Sequence, residues 1–188
     1  GLVELGASAG LNVDPTRYGY RYSGTNALTL IGPRARLIID CELRNGRLPK
    51  MSDEPFEVAS AVGVDLNPLA LQRLGDARWL LACQWPENIE RWSQLKAAVA
   101  LAALNPPEVC RGDLVSELSR LIAAVPEGAM PVVTATWVLS YLSLNAQREL
   151  MGELDRIGAN RDLVFIFAEQ PERVLGLPIP PRSDGISD

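Results

Sequence analysis

The sequence predicts an α/β domain built on a mostly parallel β-sheet with helices on both faces. Two observations predict it. Short apolar runs alternate with helical stretches, and the runs are continuous instead of alternating apolar with polar, as strands covered on both faces require. Five such runs occur, at Leu2 to Leu5, Ala61 to Asp65, Glu108 to Arg111, Pro131 to Ala135 and Leu163 to Ala168. A length of 188 residues suits one domain with an insertion.

The elements follow in order. After the first strand, Gly6-Ala7-Ser8-Ala9-Gly10 supplies the small residues that a tight turn needs. A short first helix is expected next, ended or bent by Pro15. From Arg17 to Asn45 the pattern changes to period two, with Tyr18, Tyr20 and Tyr22 alternating and a longer strand from Arg36 to Leu43. This segment reads as an inserted β-hairpin or small sheet, and with the polar loop through Pro55 it makes an insertion over residues 17–55. After the second parallel strand, Asn67-Pro68 is a cap and first residue for a helix running from Leu69 to Ala82. Trp85-Pro86 breaks it, and a second helix runs from Asn88 to Leu104 with Ile89, Trp92, Leu95 and Val99 on one face. Trp79, Trp85 and Trp92 are expected in the core of this helix pair. The next helix carries Leu114, Leu118, Leu121, Ile122 and Val125 on one side. Ser143 caps the last helix, Gly158 stops it, and residues 171–188 form a Pro-rich polar tail after a domain spanning residues 1–170. The chain opens inside a strand without a Met, so a piece of a longer chain is expected.

Composition excludes several functions. The net charge is -5, and no basic run is present to grip nucleic acid or an anionic membrane. No apolar stretch approaches the ~20 residues that span a bilayer, and no signal peptide opens the sequence. Cys41, Cys83 and Cys110 are odd in number and far apart, which indicates neither disulfides nor zinc and suits a reducing, cytoplasmic setting. There is no histidine, so the commonest general base and metal ligand are missing. No metal site is expected, the expected partner is a small molecule, and nothing fixes the oligomeric state.

Ligands of open α/β sheets bind at the carboxyl ends of the strands. The residues there are Glu4 with Gly6 to Gly10, then Asp65, Asp113, Thr136 with Trp137, and Glu169. A carboxylate such as Asp65 accepts both hydroxyl hydrogen bonds of a ribose, and Glu4 or Asp113 can accept from an amino group. Asn67-Pro68 already provides a helix cap, which leaves Asp65 free for a ligand. Asp113 serves equally well as the cap of the helix that follows it. Glu4 lies among apolar neighbours and must find a ligand or backbone amides. Tyr18, Tyr20 and Tyr22 form a stripe that packs against the body or lines a pocket. Tyr141 either packs or faces substrate, and Glu169 is the candidate base or substrate-orienting carboxylate.

Glu4-Leu5-Gly6-Ala7-Ser8-Ala9-Gly10 resembles the first motif of class I S-adenosylmethionine-dependent methyltransferases. Gly63-Val64-Asp65-Leu66-Asn67-Pro68 is similar to their second motif, Arg111-Gly112-Asp113-Leu114 to the third, and the stretch from Ala135 to Leu142 to the fourth. The resemblance implies a Rossmann-like fold and S-adenosylmethionine as cofactor, held by Glu4, Gly6, Ala7, Ser8, Gly10, Asp65, Leu66, Asp113, Leu114 and Thr136. It places Thr136, Trp137 and Tyr141 towards the methyl acceptor, with Tyr141 and Glu169 as candidate catalytic groups. More narrowly, this opening, the Arg-Tyr-x-Tyr segment, Asp65 to Pro68 and the stretch from Ala77 through Pro86 resemble a bacterial family called domain of unknown function 2332. The sequence departs from the wider pattern in carrying Ser8 where many members have glycine, and in lacking their final β-hairpin. The stretch from Gly10 to Asp65 is also long, since a whole βαβ unit takes about 30 residues.

Three rivals remain. Gly6-Ala7-Ser8-Ala9-Gly10 also fits the G-x-S-x-G elbow of α/β-hydrolases with Ser8 as nucleophile, but the chain has no histidine to serve it. A nicotinamide dehydrogenase would need glycines where Ser8 and Leu11 stand. A non-catalytic nucleotide- or S-adenosylmethionine-binding module of the same fold fits the same residues.

Overall fold

The computed structural model describes residues 1–24, 28–32, 37–43, 57–170 and 173–174. Five strands form the main sheet: β1 (Leu2–Leu5), β5 (Ala61–Asp65), β6 (Val109–Arg111), β7 (Val132–Thr136) and β8 (Val164–Ala168). Every pairing in it is parallel, and the spatial order is β6-β5-β1-β7-β8. Numbered by their occurrence in this sheet, the strands stand 3-2-1-4-5, which is the Rossmann-like order. The chain winds outward from β1 in one direction and then reverses. The crevice between β1 and β7 is therefore the topological switch point.

One face of the sheet is a closed apolar layer. Val3, Leu5, Val64, Val133 and Ala135 pack there against α3 (Leu114–Ala123) and α4 (Leu144–Gly158) through Leu118, Leu121, Ile122, Leu150 and Leu154. The period of 3.6 that predicted α3 holds, since Leu114, Leu118, Leu121 and Ile122 are all buried. On the other face Glu4 and Gly63 lie side by side in register. A Cβ on Gly63 would stand 2.4 Å from the Ala7 Cβ, so glycine here lets the turn after β1 lie flat on the sheet. Ala9, Leu71, Val99 and Ala102 form a second cluster, which seats α2 (Ile89–Leu104) and α1 (Leu74–Ala82) behind that turn.

Several local expectations change. No α-helix follows the glycine turn: Asp14 caps a single 3-10 turn, Pro15–Arg17, in which Pro15 takes the first helical position instead of ending a helix. The insertion is a three-stranded sheet of β2 (Gly19–Ser23), β3 (Leu28–Ile31) and β4 (Ile38–Glu42), with β2 antiparallel to β3 and parallel to β4. Residues 25–27, 33–36 and 44–56, including the polar loop expected through Pro55, lie outside the described residues. The tyrosine stripe packs: Tyr18 joins Leu37 and Ala98 in a third cluster with Tyr20 beside it. Their hydroxyls donate to the carbonyls of Leu11 and Pro15.

α1 starts at Leu74, five residues later than Leu69, with Arg73 at its cap, so Asn67-Pro68 opens no helix. Trp79 and Trp85 are 65% and 76% exposed, and Trp92 is partly exposed with the Lys96 ammonium over its ring. The helix pair is closed instead by Ala77, Leu80, Leu95, Val99 and Ala102. Gly158 stays inside α4 and Ala159 caps it in right-handed geometry, so no left-handed glycine stop is used. Val174 is buried in the main core, which anchors the chain beyond the expected tail boundary at residue 171; residues 175–188 lie outside the described set.

Candidate functional site

The turn after β1 is shaped by three left-handed residues, Gly6 (φ 69°), Ser8 (φ 52°) and Gly10 (φ 72°). Both glycines also make close approaches. A Cβ on Gly6 would lie 2.3 Å from Val138 Cγ2, and one on Gly10 would lie 2.6 Å from Pro107 Cγ. The turn is thus pressed between the loops that follow β7 and α2, and its glycines are required by those neighbours.

Asp65 ties this turn to the next strand. Its Oδ2 accepts from the Ser8 N–H at 2.8 Å and its Oδ1 from the Asn67 N–H at 2.8 Å. Its own carbonyl accepts from Gly112 N–H at 3.0 Å, which links β5 to the end of β6. Asp65 is therefore an organiser of three strand ends. Each carboxylate oxygen keeps a second lone pair for an incoming hydroxyl. Asp113 caps α3 with Oδ1, which accepts from the Val115 and Ser116 N–H groups at 3.0 Å each.

The post-β7 turn is anchored from two sides. Trp137 has a left-handed φ of 53° and donates its N–H to Ala168 O at 2.9 Å. Glu169 Oε1 accepts from Leu139 N–H at 2.6 Å, and the Leu139 side chain is buried. Between these anchors and the first turn lies a cleft of about 440 Å3 at the switch point, within the roughly 300–1,000 Å3 of ligand pockets. Its walls come from four successive strand ends: Gly6 and Ser8, Asp65 and Leu66, Asp113 and Leu114, Trp137 and Tyr141.

The sequence matches, over residues 1–182, a family described as an uncharacterized protein conserved in bacteria (DUF2332). The chain belongs to that family. No curated protein and no solved structure matches it.

In this DUF2332 chain the cleft brings together Gly6, Ser8, Asp65, Leu66, Asp113, Leu114 and Tyr141 of the residues expected from sequence. Trp137 lines it as well, whereas Glu4, Ala7, Gly10, Thr136 and Glu169 stand apart from its walls. Ala7 and Gly10 build the turn from behind, with Ala7 N–H donating to Val64 O at 3.0 Å. Thr136 ends β7 and is exposed beside the cleft. Glu169 is engaged with Leu139 N–H, and its Oε2 is buried without a partner.

Glu4 is buried beneath the turn at 3% exposure, with Oε2 unpartnered. Burial pushes its pKa up from 4.5 to about 7, the nearby Asn12 side chain pulls the other way, and the Asp65 carboxylate adds a smaller push upward. Sequence reasoning missed Asn12, because nothing in the spacing signals that the chain folds back onto Glu4. It also missed Arg111, which donates to Asn67 Oδ1 at 3.0 Å, and the apolar wall of Val138 and Leu142. These two fall in the fourth motif-like stretch, where only Thr136, Trp137 and Tyr141 drew attention.

Proposed function

We propose that this chain is an S-adenosylmethionine-dependent methyltransferase acting on a small-molecule acceptor. The observation that carries the reading is the convergence of Asp65-Leu66 and Asp113-Leu114, from the ends of adjacent strands, on one cleft beside the glycine turn at the switch point. The donor set fits a nucleoside cofactor. Asp65 retains acceptor capacity for a ribose diol, Leu66 and Leu114 offer apolar surface for a purine, and Asp113 Oδ2 is not used in capping α3. The cofactor would supply a methyl group already activated on a sulfonium. The protein's task is then to hold two molecules in line and exclude water, for which positioning supplies much of the rate and histidine is not needed. The unpaired Cys41, Cys83 and Cys110 suit a reducing, cytoplasmic setting.

Calorimetry with S-adenosylmethionine and S-adenosylhomocysteine tests the reading. Saturable heat with either supports it, and no heat from folded protein overturns it.

Two other readings each have one observation in their favour. Ser8 is exposed in the cleft with φ 52°, the kind of strained turn that presents a hydrolase nucleophile. With no histidine in the sequence, a fluorophosphonate probe should leave Ser8 unlabelled. Glu169 is committed to Leu139 N–H, which favours a binding module without chemistry. Methyl transfer to any member of a broad metabolite panel excludes that module.

A further inference from the structure

The cleft wall contributed by the β7 turn is unlike the rest. Trp137 is 59% exposed, Tyr141 is 86% exposed and Leu66 across from them is 70% exposed, and all three border the same cleft. Large apolar surface gathered around a concavity marks a binding site more often than chance exposure does. The arrangement is also enforced. Trp137 is held in a backbone conformation that bulky side chains seldom adopt, with its N–H fixed to Ala168 O and the next residue pressed on Gly6. One turn further, Leu139 is pinned to Glu169 and buried, so Tyr141 follows on a short 3-10 turn, Leu139–Tyr141. The fold thus keeps two aromatic rings at the cleft instead of burying them.

The charge around those rings has one sign. Among the described residues, the ionisable groups lining the cleft are the carboxylates of Asp65 and Asp113 and the Tyr141 phenol, with no lysine or arginine. The neighbouring Arg111 directs its guanidinium to Asn67 Oδ1 and stays outside the lining. Beside the two rings the described residues offer carboxylates and no cationic side chain, which disfavours a phosphate or carboxylate group there. Aromatic faces beside carboxylates instead suit a flat ring carrying an amine, by stacking and by cation–π attraction.

We propose that the second ligand of this cleft is a planar aromatic amine held against Trp137 and Tyr141, bound in preference to a carboxylate-bearing ring of the same shape. As the identity of a methyl acceptor, this rests on the methyltransferase reading above; as a binding preference it stands on the cleft alone.

The test is calorimetry on the full chain, with and without S-adenosylhomocysteine. The probes are tryptamine and tyramine, set against indole-3-acetate and 4-hydroxyphenylacetate, which keep the rings and reverse the charge. At least one amine should bind about tenfold or more tighter than its acid counterpart. Trp137→Gly removes the indole and suits the left-handed backbone, and it should weaken that amine about tenfold, more than it weakens S-adenosylhomocysteine. Tyr141→Ala, at an exposed position, should weaken the amine as well.

Equal or tighter binding of the acids, no binding by any of the four probes, or amine binding indifferent to both variants overturns the proposal. Binding of the amine, lost in Trp137→Gly, together with no binding of S-adenosylhomocysteine supports this preference and sinks the cofactor reading instead.

Discussion

Glu4 and Asp65 divide the electrostatic work beneath and beside the cleft. Glu4 faces the side of the sheet on which the glycine turn lies, and its folded-state pKa of about 7 stands above its ordinary 4.5. The folded protein therefore holds the extra proton between these values, and the stability that Glu4 contributes falls as pH rises through that window. Glu4→Gln should flatten this loss. Relative to wild type, the variant should gain about 3 kcal/mol between pH 4 and pH 8, read from urea midpoints at each pH. An unchanged pH profile would show that Glu4 ionises freely in the fold. Asp65 instead accepts from two backbone N–H groups, those of Ser8 and Asn67. Asp65→Asn keeps the shape but turns an amide towards one of those N–H groups. It should cost about 1–3 kcal/mol of stability and weaken S-adenosylhomocysteine binding more than tenfold in calorimetry. Asp65 and Asp113 are legible in the sequence because each ends an apolar run. Their double duty is not legible, because it depends on which backbone N–H groups the neighbouring strand ends present.

Among the elements, α3 and α4 were readable and the α1–α2 pair was only half so. In α3 one apolar stripe meets one sheet face, so periodicity and burial agree. Leu118, fully buried beneath the sheet, should cost about 2–5 kcal/mol when changed to Ala, whereas Trp79→Ala should change stability by less than about 1 kcal/mol. Thermal or urea unfolding of the two variants checks the contrast. Hydrophobicity alone pointed to the opposite ranking for Trp79, because it does not say which side of an Ala-rich helix carries the contact. The α3–α4 pair is also joined by Ser119, Glu153 and Arg156, where Arg156, ahead of Ser119, holds Glu153 down at about 2. Beyond α3, one guanidinium closes the end of the helix: Arg161 donates to the carbonyls of Ile122, Val125, Pro126 and Ala129 at 2.7–3.2 Å. The carbonyls of Ile122 and Pro126 also accept from the N–H groups of Val125 and Ala129, whereas those of Val125 and Ala129 rely on this one planar donor, so Arg161→Ala should lower stability by about 2 kcal/mol. Arg161→Lys should not restore it, because an ammonium cannot span the fork. Full rescue by Lys in an unfolding assay would contradict this.

The whole molecule follows from strand order. Continuous apolar runs separated by helical stretches predict a parallel sheet, and right-handed crossovers then leave few arrangements, of which 3-2-1-4-5 is the one adopted. That order places four strand ends around one crevice, and so Gly6, Ser8, Asp65, Asp113 and Trp137 of the strand-end residues meet in the cleft lining. Where strand ends and cleft part company, a long-range contact decides. Glu169 is drawn to Leu139 and Gly10 to Pro107, while Val138 is brought forward against Gly6. The insertion of β2 to β4 packs Tyr18 and Leu37 on α2 through Ala98, away from the cleft walls. The proposed function seats a nucleoside cofactor in the crevice at the switch point. The most direct test is a crystal structure of the chain with S-adenosylhomocysteine. That seating predicts ribose hydroxyls within hydrogen-bond distance of Asp65, with the purine against Leu66 and Leu114 and its amino group at Asp113. Nucleoside density seated elsewhere on the protein, or contacts that leave Asp65 and Asp113 untouched, would contradict it.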